Sequence, residues 1–525
     1  MTDLKGEKKK SNGFMSGVLV LSLAAVIVKI IGLVYKIPML RLLGSEGMGY
    51  FNSAYEIYTL FCTVATTGLP VAMAVMISSR KGNSSVGEKV FSVAVRIFLL
   101  LGISGSFIMM IFAKPFATFV GSEDAGICIL SIAPTVFIIC ISSAYRGYFQ
   151  GLGKMSPTAI SQMIEAAGKL VLGLIFAYVA LNSGAETNVV AAFAVLGLTL
   201  GNAVSLLYLV LLKRFSKKGS FDGDITCSKK SMIFELLKTA IPVTLSSAVI
   251  SLTKVIDMTM ILKRLQDVGK SSADAFAAYG NYTTLALPLF GLAPALVSAV
   301  AMPLVPSLSR AVADNDVEEQ KKAIYGALSI TTFISMPVSL GLTLFSEPIL
   351  NLIFESEGAA VSMSAPLLAL LGPSVTMACI ITVGNAILQA YGAPSIPILS
   401  MTIGSIVKIA LAYFLIGMEP IGLAGAPIST FVCDIIINAV NFAYIGKYVD
   451  SIPDFGAIFL RPFAISAVSV SVARLFYNAL SVRANNVSTV TVSAVFLAGI
   501  IYFALSLLFG AIKGNELKKK LIENQ

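Results

Sequence analysis

The sequence predicts an all-α polytopic membrane protein of about fourteen transmembrane helices. Three observations predict it. Of 525 residues, 56% are hydrophobic and only 13% charged, where soluble domains run near a quarter charged, and the mean hydropathy is +0.87. The apolar residues fall in runs long enough to cross a bilayer, separated by short polar loops. Lys and Arg are shared unequally between alternate loops, about three to one in favour of the N-terminal side, as the positive-inside rule requires of an even helix count with both termini cytoplasmic.

Each element follows in order. The stretch MTDLKGEKKKSNG (1–13) is basic and turns apolar at Phe14. The run continues well past a signal-peptide core, so it is predicted to be a retained first helix, 14–36, with the tail in the cytoplasm. The second run, 49–78, exceeds a simple crossing and holds Pro70 in GLP, so tilt or a kink is expected. Runs 89–112, 125–149, 157–181 and 189–212 complete a six-helix lobe, 14–212. The loop 213–232, containing KRFSKKGSFDGDITCSKK, is polar and basic and reads as a linker. A seventh run, 233–262, is followed by an overlong eighth, 275–308, with prolines in LAPALVSAVAMPLVP. Runs 321–346, 360–389, 396–417 and 421–446 complete a second lobe, 233–446. Two more, 456–480 and 487–512, lie within 447–512, ahead of a basic tail, 513–525.

The lobes repeat. YFQGLGKMSPTAISQMIEAAGKL (148–170) aligns with ILQAYGAPSIPILSMTIGSIVKI (387–409), matching Gln150 to Gln389 and Lys169 to Lys408. Lys29 corresponds loosely to Lys254, and Arg80 to Arg310. An even helix number per lobe makes this a parallel repeat about an axis along the membrane normal, as in several transporter folds.

The informative residues are charges inside the spans. A cation at bilayer depth is unfavourable by roughly 2.5–3.5 kcal/mol even on insertion scales, so such residues face a bundle interior or a cavity. The cations are Lys29, Arg96, Arg146, Lys169, Lys254 and Lys408; the acids are Glu56, Glu165, Asp257 and Asp434. Glu165 and Lys169 are spaced to pair on one helix face, as are Lys254 and Asp257. Lys408 has Asp434 as a cross-helix partner, and Arg96 and Arg146 can snorkel. Lys29 has no acid within reach on its own helix; its structural alternative is Glu56. The cation excess predicts an interior suited to an anionic ligand. Lys29, Lys36, Arg41, Asn52, Glu56, Lys254, Asp257, Asn281, Arg146, Gln150 and Gln389 are the candidate cavity residues, with Glu56, Asp257 and Asp434 as candidate coupling groups and Glu165, Lys169 and Lys408 in structural pairs. Gly32, Pro38, Pro70, Pro242 and Pro294 are candidate bending positions.

Other chemistries are excluded or weak. There is no His, the commonest metal ligand and general base. Six scattered cysteines form no CxxC and read as small apolar residues. No phosphate loop, HExxH or GxSxG occurs, so no cofactor or metal is expected and an enzyme reading is weak. The basic residues lie in loops rather than on one solvated face, against nucleic-acid binding.

The opening KIIGLVYKIPMLRLLGSEGMGYFNSAYEIY and the segment YRGYFQGLGKMSPTAISQ, with the helix count and the repeat, resemble the polysaccharide-exporter branch of the multidrug/oligosaccharidyl-lipid/polysaccharide flippase superfamily. Within it the chain is most similar to the stage V sporulation protein B group, related to the lipid II flippases. The resemblance implies an undecaprenyl-pyrophosphate-linked saccharide moved from inner to outer leaflet of the bacterial cell membrane by alternating access. It implies a peptidoglycan or related polysaccharide role, a monomer and envelope-synthesis enzymes as partners. It also implies that helices 13 and 14 form a groove for the lipid tail. The first helix in lipid II flippases carries a basic-x-x-Gly-x-x-basic pattern. Lys29 and Gly32 match its start, and the second basic position falls on Tyr35, with Lys36 next.

The membrane potential, at about 2.3 kcal/mol per charge per 100 mV, or a sodium or proton gradient would supply the driving force. The rivals are a cation-coupled multidrug exporter of the same superfamily, a polysaccharide polymerase, for which no long outer loop exists, and a non-transporting scaffold in envelope synthesis.

Overall fold

The computed structural model describes residues 2–79, 84–215, 229–355, 357–448, 456–482 and 486–509. The chain is helical, with no strand among the described residues. In order the helices are α1 (Thr2–Thr66), α2 (Gly68–Ser79), α3 (Ser84–Ile111), α4 (Ala113–Val120), α5 (Ala125–Gly151), α6 (Ser156–Asn182), α7 (Thr187–Phe215), α8 (Lys229–Asp267) and α9 (Ser272–Asn281). After a π-helical turn, Tyr282–Ala286, come α10 (Leu287–Phe290), α11 (Leu292–Ala313), α12 (Val317–Leu344), α13 (Ser346–Ile353), α14 (Gly358–Ala390), α15 (Ser395–Ile416), α16 (Gly425–Tyr448), α17 (Arg461–Ser481) and α18 (Val487–Leu508).

Thirteen stretches of the described residues are long and apolar enough to cross a membrane. The first, Ala24–Ser78, has 55 residues. At 1.5 Å per residue that is about 80 Å, more than twice the hydrocarbon thickness, so it holds two crossings. They meet at Gly44, which has φ 66° and ψ 178° and breaks the helix inside α1. A side chain would be strained at that φ; glycine is not. Helix also extends back to Thr2, through the stretch expected to be a tail.

The overlong eighth run breaks near its middle. Pro288 has no N–H to offer the carbonyl of Thr284, and Thr284 lies in the π-helical turn Tyr282–Ala286 that precedes α10. Pro294 follows Gly291 in the first turn of α11, so it starts a helix rather than bending one. Pro70 likewise sits in the first turn of α2. Pro38 lies inside α1, which continues helical past it to Gly44. Pro242 lies in α8, its side chain outside the described ones.

Two short helices, α4 and α13, occupy stretches read as loops. Each has eight residues with proline third (AKPFATFV and SEPILNLI), and each follows a membrane-length helix.

By packing, the chain divides into Met1–Gly280 and Asn281–Gln525. The break was expected at 213–232. Instead α8 belongs to the first unit, packed on α1 and α2. Thr63 and Ser251 share a 2.7 Å hydrogen bond, and a Cβ on Gly68 would collide with the backbone of Ala240. The densest packing in this unit is α6 on α7. Glycines allow it: a Cβ on Gly168 would lie 2.6 Å from the Cα of Gly201, and one on Gly197 would collide with the backbone of Gly173. Such close approach is how helices associate in lipid. In the second unit α14 is central, against α11, α12 and α16. Helices α17 and α18 pack on each other and on α12, where the Tyr502 hydroxyl donates to the Phe333 carbonyl at 2.9 Å. The expected lobe end at 512 and the tail 513–525 lie outside the described residues, as do Arg80 and most of 213–232.

Candidate anion-binding site

Helix α1 presents Lys29 and Lys36 two turns apart, on one face. Lys29 is exposed and lies within the field of Lys254 of α8, which is exposed too. Among the described residues neither enters an ion pair. Two ammonium groups in each other's field raise the energy of the empty site, and an anion between them lowers it. Glu56, on α1 beyond Gly44, is half-buried and within the field of Lys36, Lys254 and Asp257. It is therefore a shared counter-charge rather than a partner held by Lys29.

Lys36 also lies within the field of Lys169 of α6. The pair expected between Lys169 and Glu165 is replaced. Glu165 accepts from Arg146 Nη2 of α5 at 2.9 Å, while Arg146 Nε donates to Ser161 Oγ at 2.9 Å and Nη2 also reaches Ser205 Oγ at 3.4 Å. Arg146 is buried, so it is a structural brace rather than a cavity cation or a snorkelling one. A guanidinium outcompetes an ammonium here because its planar fork meets carboxylate and hydroxyls at once. Replacing Arg146 with alanine strands Glu165 and should cost about 3 kcal/mol of stability, read by denaturant unfolding in detergent. Pairing that change with Glu165→Leu should recover most of the loss.

The Lys169 ammonium, still within the field of Glu165, rests on three rings, 4.6 Å from the centroid of Tyr55, 5.0 Å from Tyr35 and 5.4 Å from Phe51. This aromatic shelf is the functional feature that the sequence reading missed. Phe51 and Tyr55 stand one turn apart, and Tyr35 fills the position where the lipid II flippase pattern has a cation, but only the fold brings α6 against them.

The remaining candidates divide. Arg41 is exposed, just before Gly44, and Asn52 is buried. Asp257 is half-buried, one turn beyond Lys254. Gln150 donates to Thr158 Oγ1 at 3.4 Å. A Cβ on Gly32 would meet nothing within 4 Å, so that glycine is not required by packing. In the second unit, buried Asn281 donates to Met363 Sδ at 3.5 Å, and Gln389 is exposed on α14. Lys408 of α15 and buried Asp434 of α16 lie within each other's field.

The family model described as "Polysaccharide biosynthesis protein" matches residues 14–312, and the one described as "MatE" matches 242–414. The stage V sporulation protein B of Bacillus subtilis (strain 168) is 25% identical, over 96% of this chain and 97% of its own. The lipid II flippase MurJ of the same organism is 28% identical, over 76% of this chain and 77% of its own. Among solved structures, the inward closed conformation of lipid II flippase MurJ superposes with a TM-score of 0.69 at 18% identity, covering 94% of this chain and 98% of that one. These matches fit the all-α polytopic membrane fold. The chain belongs to the polysaccharide biosynthesis protein family, within the multidrug/oligosaccharidyl-lipid/polysaccharide flippase superfamily.

Proposed function

We propose that the protein is a flippase that moves a lipid-linked, pyrophosphate-bearing saccharide from the inner to the outer leaflet of a bacterial cell membrane by alternating access. The observation that carries this reading is the pair Lys29 and Lys254, exposed, in each other's field and in no ion pair among the described residues. A site built this way selects an anion. The matches to stage V sporulation protein B and to lipid II flippases support a cell-wall or related polysaccharide unit as the cargo. With both termini cytoplasmic, an inside-negative potential drives a dianionic head group outward with about 4–5 kcal/mol per 100 mV. The same field returns the emptied, cationic site inward, so neither half-cycle needs ATP. Glu56, Asp257 and Asp434 are the groups through which a cation gradient would couple. The protein acts as a monomer and hands its cargo to envelope-synthesis enzymes.

Native mass spectrometry of the gently purified protein tests the cargo class: a co-purifying polyprenyl-pyrophosphate supports it, and a bound population made only of ordinary phospholipids counts against it. The match of residues 242–414 to the MatE model favours a second reading, a cation-coupled drug exporter. An exporter of cationic drugs should keep conferring resistance after Lys29→Ala, whereas a flippase should lose complementation.

A further inference from the structure

The sequence repeat assigns α8 and α9 to the second half, 233–446, yet both are fastened to the first. The fastenings follow α8 along its length. Near its start, a Cβ on Gly68 of α2 would collide with the Ala240 backbone. At its middle, Ser251 shares a 2.7 Å hydrogen bond with Thr63 of α1. At its end, Gln266 Nε2 donates to the Gly121 carbonyl at 3.0 Å, at the close of α4. From Ala240 to Gln266 the helix rises about 39 Å at 1.5 Å per residue, more than the hydrocarbon core of about 30 Å. Helix α9 is held as closely. A Cβ on Gly49 of α1 would collide with the Phe276 carbonyl, and one on Gly280 with the Ser45 carbonyl. The rings of Tyr50 and Phe276 meet at 4.8 Å between centroids, and Ser272 Oγ donates to the Gly121 carbonyl at 3.3 Å. Where backbone lies on backbone, no side chain can yield, so such elements move together. The fastening then stops. Just past Gly280 the helix opens into the π-helical turn Tyr282–Ala286, Pro288 withholds a donor from the Thr284 carbonyl, and α10 ends at Gly291. A π-turn, a proline and a glycine in succession are where a helix bends.

We infer that α8 and α9 move with the first half of the repeat, and that the bend which carries alternating access is the segment Tyr282–Gly291 of the eighth span rather than the junction of the halves at 213–232. This rests on the flippase reading and deepens it. A parallel repeat is expected to rock half against half, which would pull Lys254 of α8 away from Lys29 of α1 in every cycle. With α8 fastened to α1 and α2, the two lysines travel in one body. The anion then keeps both cations while access changes around it. The seam from Gly68 to Gln266 stays closed throughout, so the lipid tail of the cargo passes elsewhere.

The test is a disulfide across the seam of the full-length protein. Thr63→Cys with Ser251→Cys replaces the 2.7 Å oxygen pair by two sulfurs that bond at about 2.05 Å, and Cys62→Ser removes the neighbouring thiol. Bond formation is read as loss of thiol labelling after denaturation. Oxidised and reduced protein should move a polyprenyl-pyrophosphate saccharide across vesicles at the same rate. Movement lost on oxidation and restored by reductant overturns the inference, as does a disulfide that fails to form. Pro288→Ala with Gly291→Ala stiffens the bend; the new Cβ at 291 would lie 3.5 Å from the Leu287 carbonyl and 3.6 Å from that of residue 288, both ordinary contacts. This variant should keep its thermal unfolding in detergent yet move the probe about fivefold more slowly. Gly291→Ala alone serves if the double variant does not accumulate. An undiminished rate overturns the placement of the bend. A reduced protein that moves no probe overturns the flippase reading itself, and this inference with it, so the two failures are distinguishable.

Discussion

A Lys29→Ala, Lys254→Ala double variant should insert and fold as well as wild type yet move a lipid-linked pyrophosphate at least about tenfold more slowly, the minimum for losing two close charge contacts to a phosphate. Both side chains are exposed, in each other's field, and enter no ion pair among the described residues, so removing them breaks no ion pair and relieves their repulsion, while Glu56 keeps Lys36 as a counter-charge. Stability in detergent should therefore be unchanged or slightly higher. The contrast with Arg146 is the point of the experiment. Losing that buried brace should destabilise the protein, because it leaves Glu165 behind. Losing the cation pair should slow transport at least about tenfold from an intact fold. Lys29→Arg keeps the charge and should keep most of the rate. A double variant that transports normally would remove the main support for an anionic cargo.

Gly197→Leu should prevent accumulation of folded protein. A Cβ there would overlap the backbone of Gly173 and lie 2.7 Å from the carbonyl carbon of Leu172, so no side-chain rotation can relieve it. Helices α6 and α7 would have to separate along the tightest contact of the first unit. Overpacking typically costs 1–3 kcal/mol, and a backbone-to-backbone collision should reach at least the upper end, about 3 kcal/mol. Gly341→Ala is the matched control: it is also helical, but its Cβ would meet nothing within 4 Å. It should be neutral or gain up to about 1 kcal/mol from reduced chain entropy. Measured by monodisperse yield after membrane extraction, Gly197→Leu should fall to background while Gly341→Ala matches wild type.

Most of the fold was legible because a bilayer fixes helix length, so each crossing announces itself as an apolar run. What was not legible is local backbone chemistry and tertiary choice. The break between the first two runs was expected within 37–48 and falls at Gly44, where the order Leu-Leu-Gly-Ser joins a stop residue to a good helix starter; what did not show is that helix continues up to it on both sides. Helices α4 and α13 are too short to show a span. Gly197 and Gly201, one turn apart on α7, carried a readable small-residue signal that went unused. At the site, spacing along one helix paired Glu165 with Lys169. The fold gave Glu165 an ion pair with Arg146, from a different helix, and set Lys169 half-buried over an aromatic shelf within the field of Glu165. Lys29 stood out in the sequence because its charge had no local answer, and in the structure it still has none beyond the field of Glu56's neighbourhood and the repulsion of Lys254.

The most direct measurement is transbilayer movement of a fluorescent polyprenyl-pyrophosphate saccharide in vesicles carrying the purified full-length protein, with the potential clamped by ion gradients. Movement should exceed the protein-free rate and should quicken when the leaflet holding the lipid faces the negative side. A rate equal to that of protein-free vesicles at every potential would contradict the proposed activity.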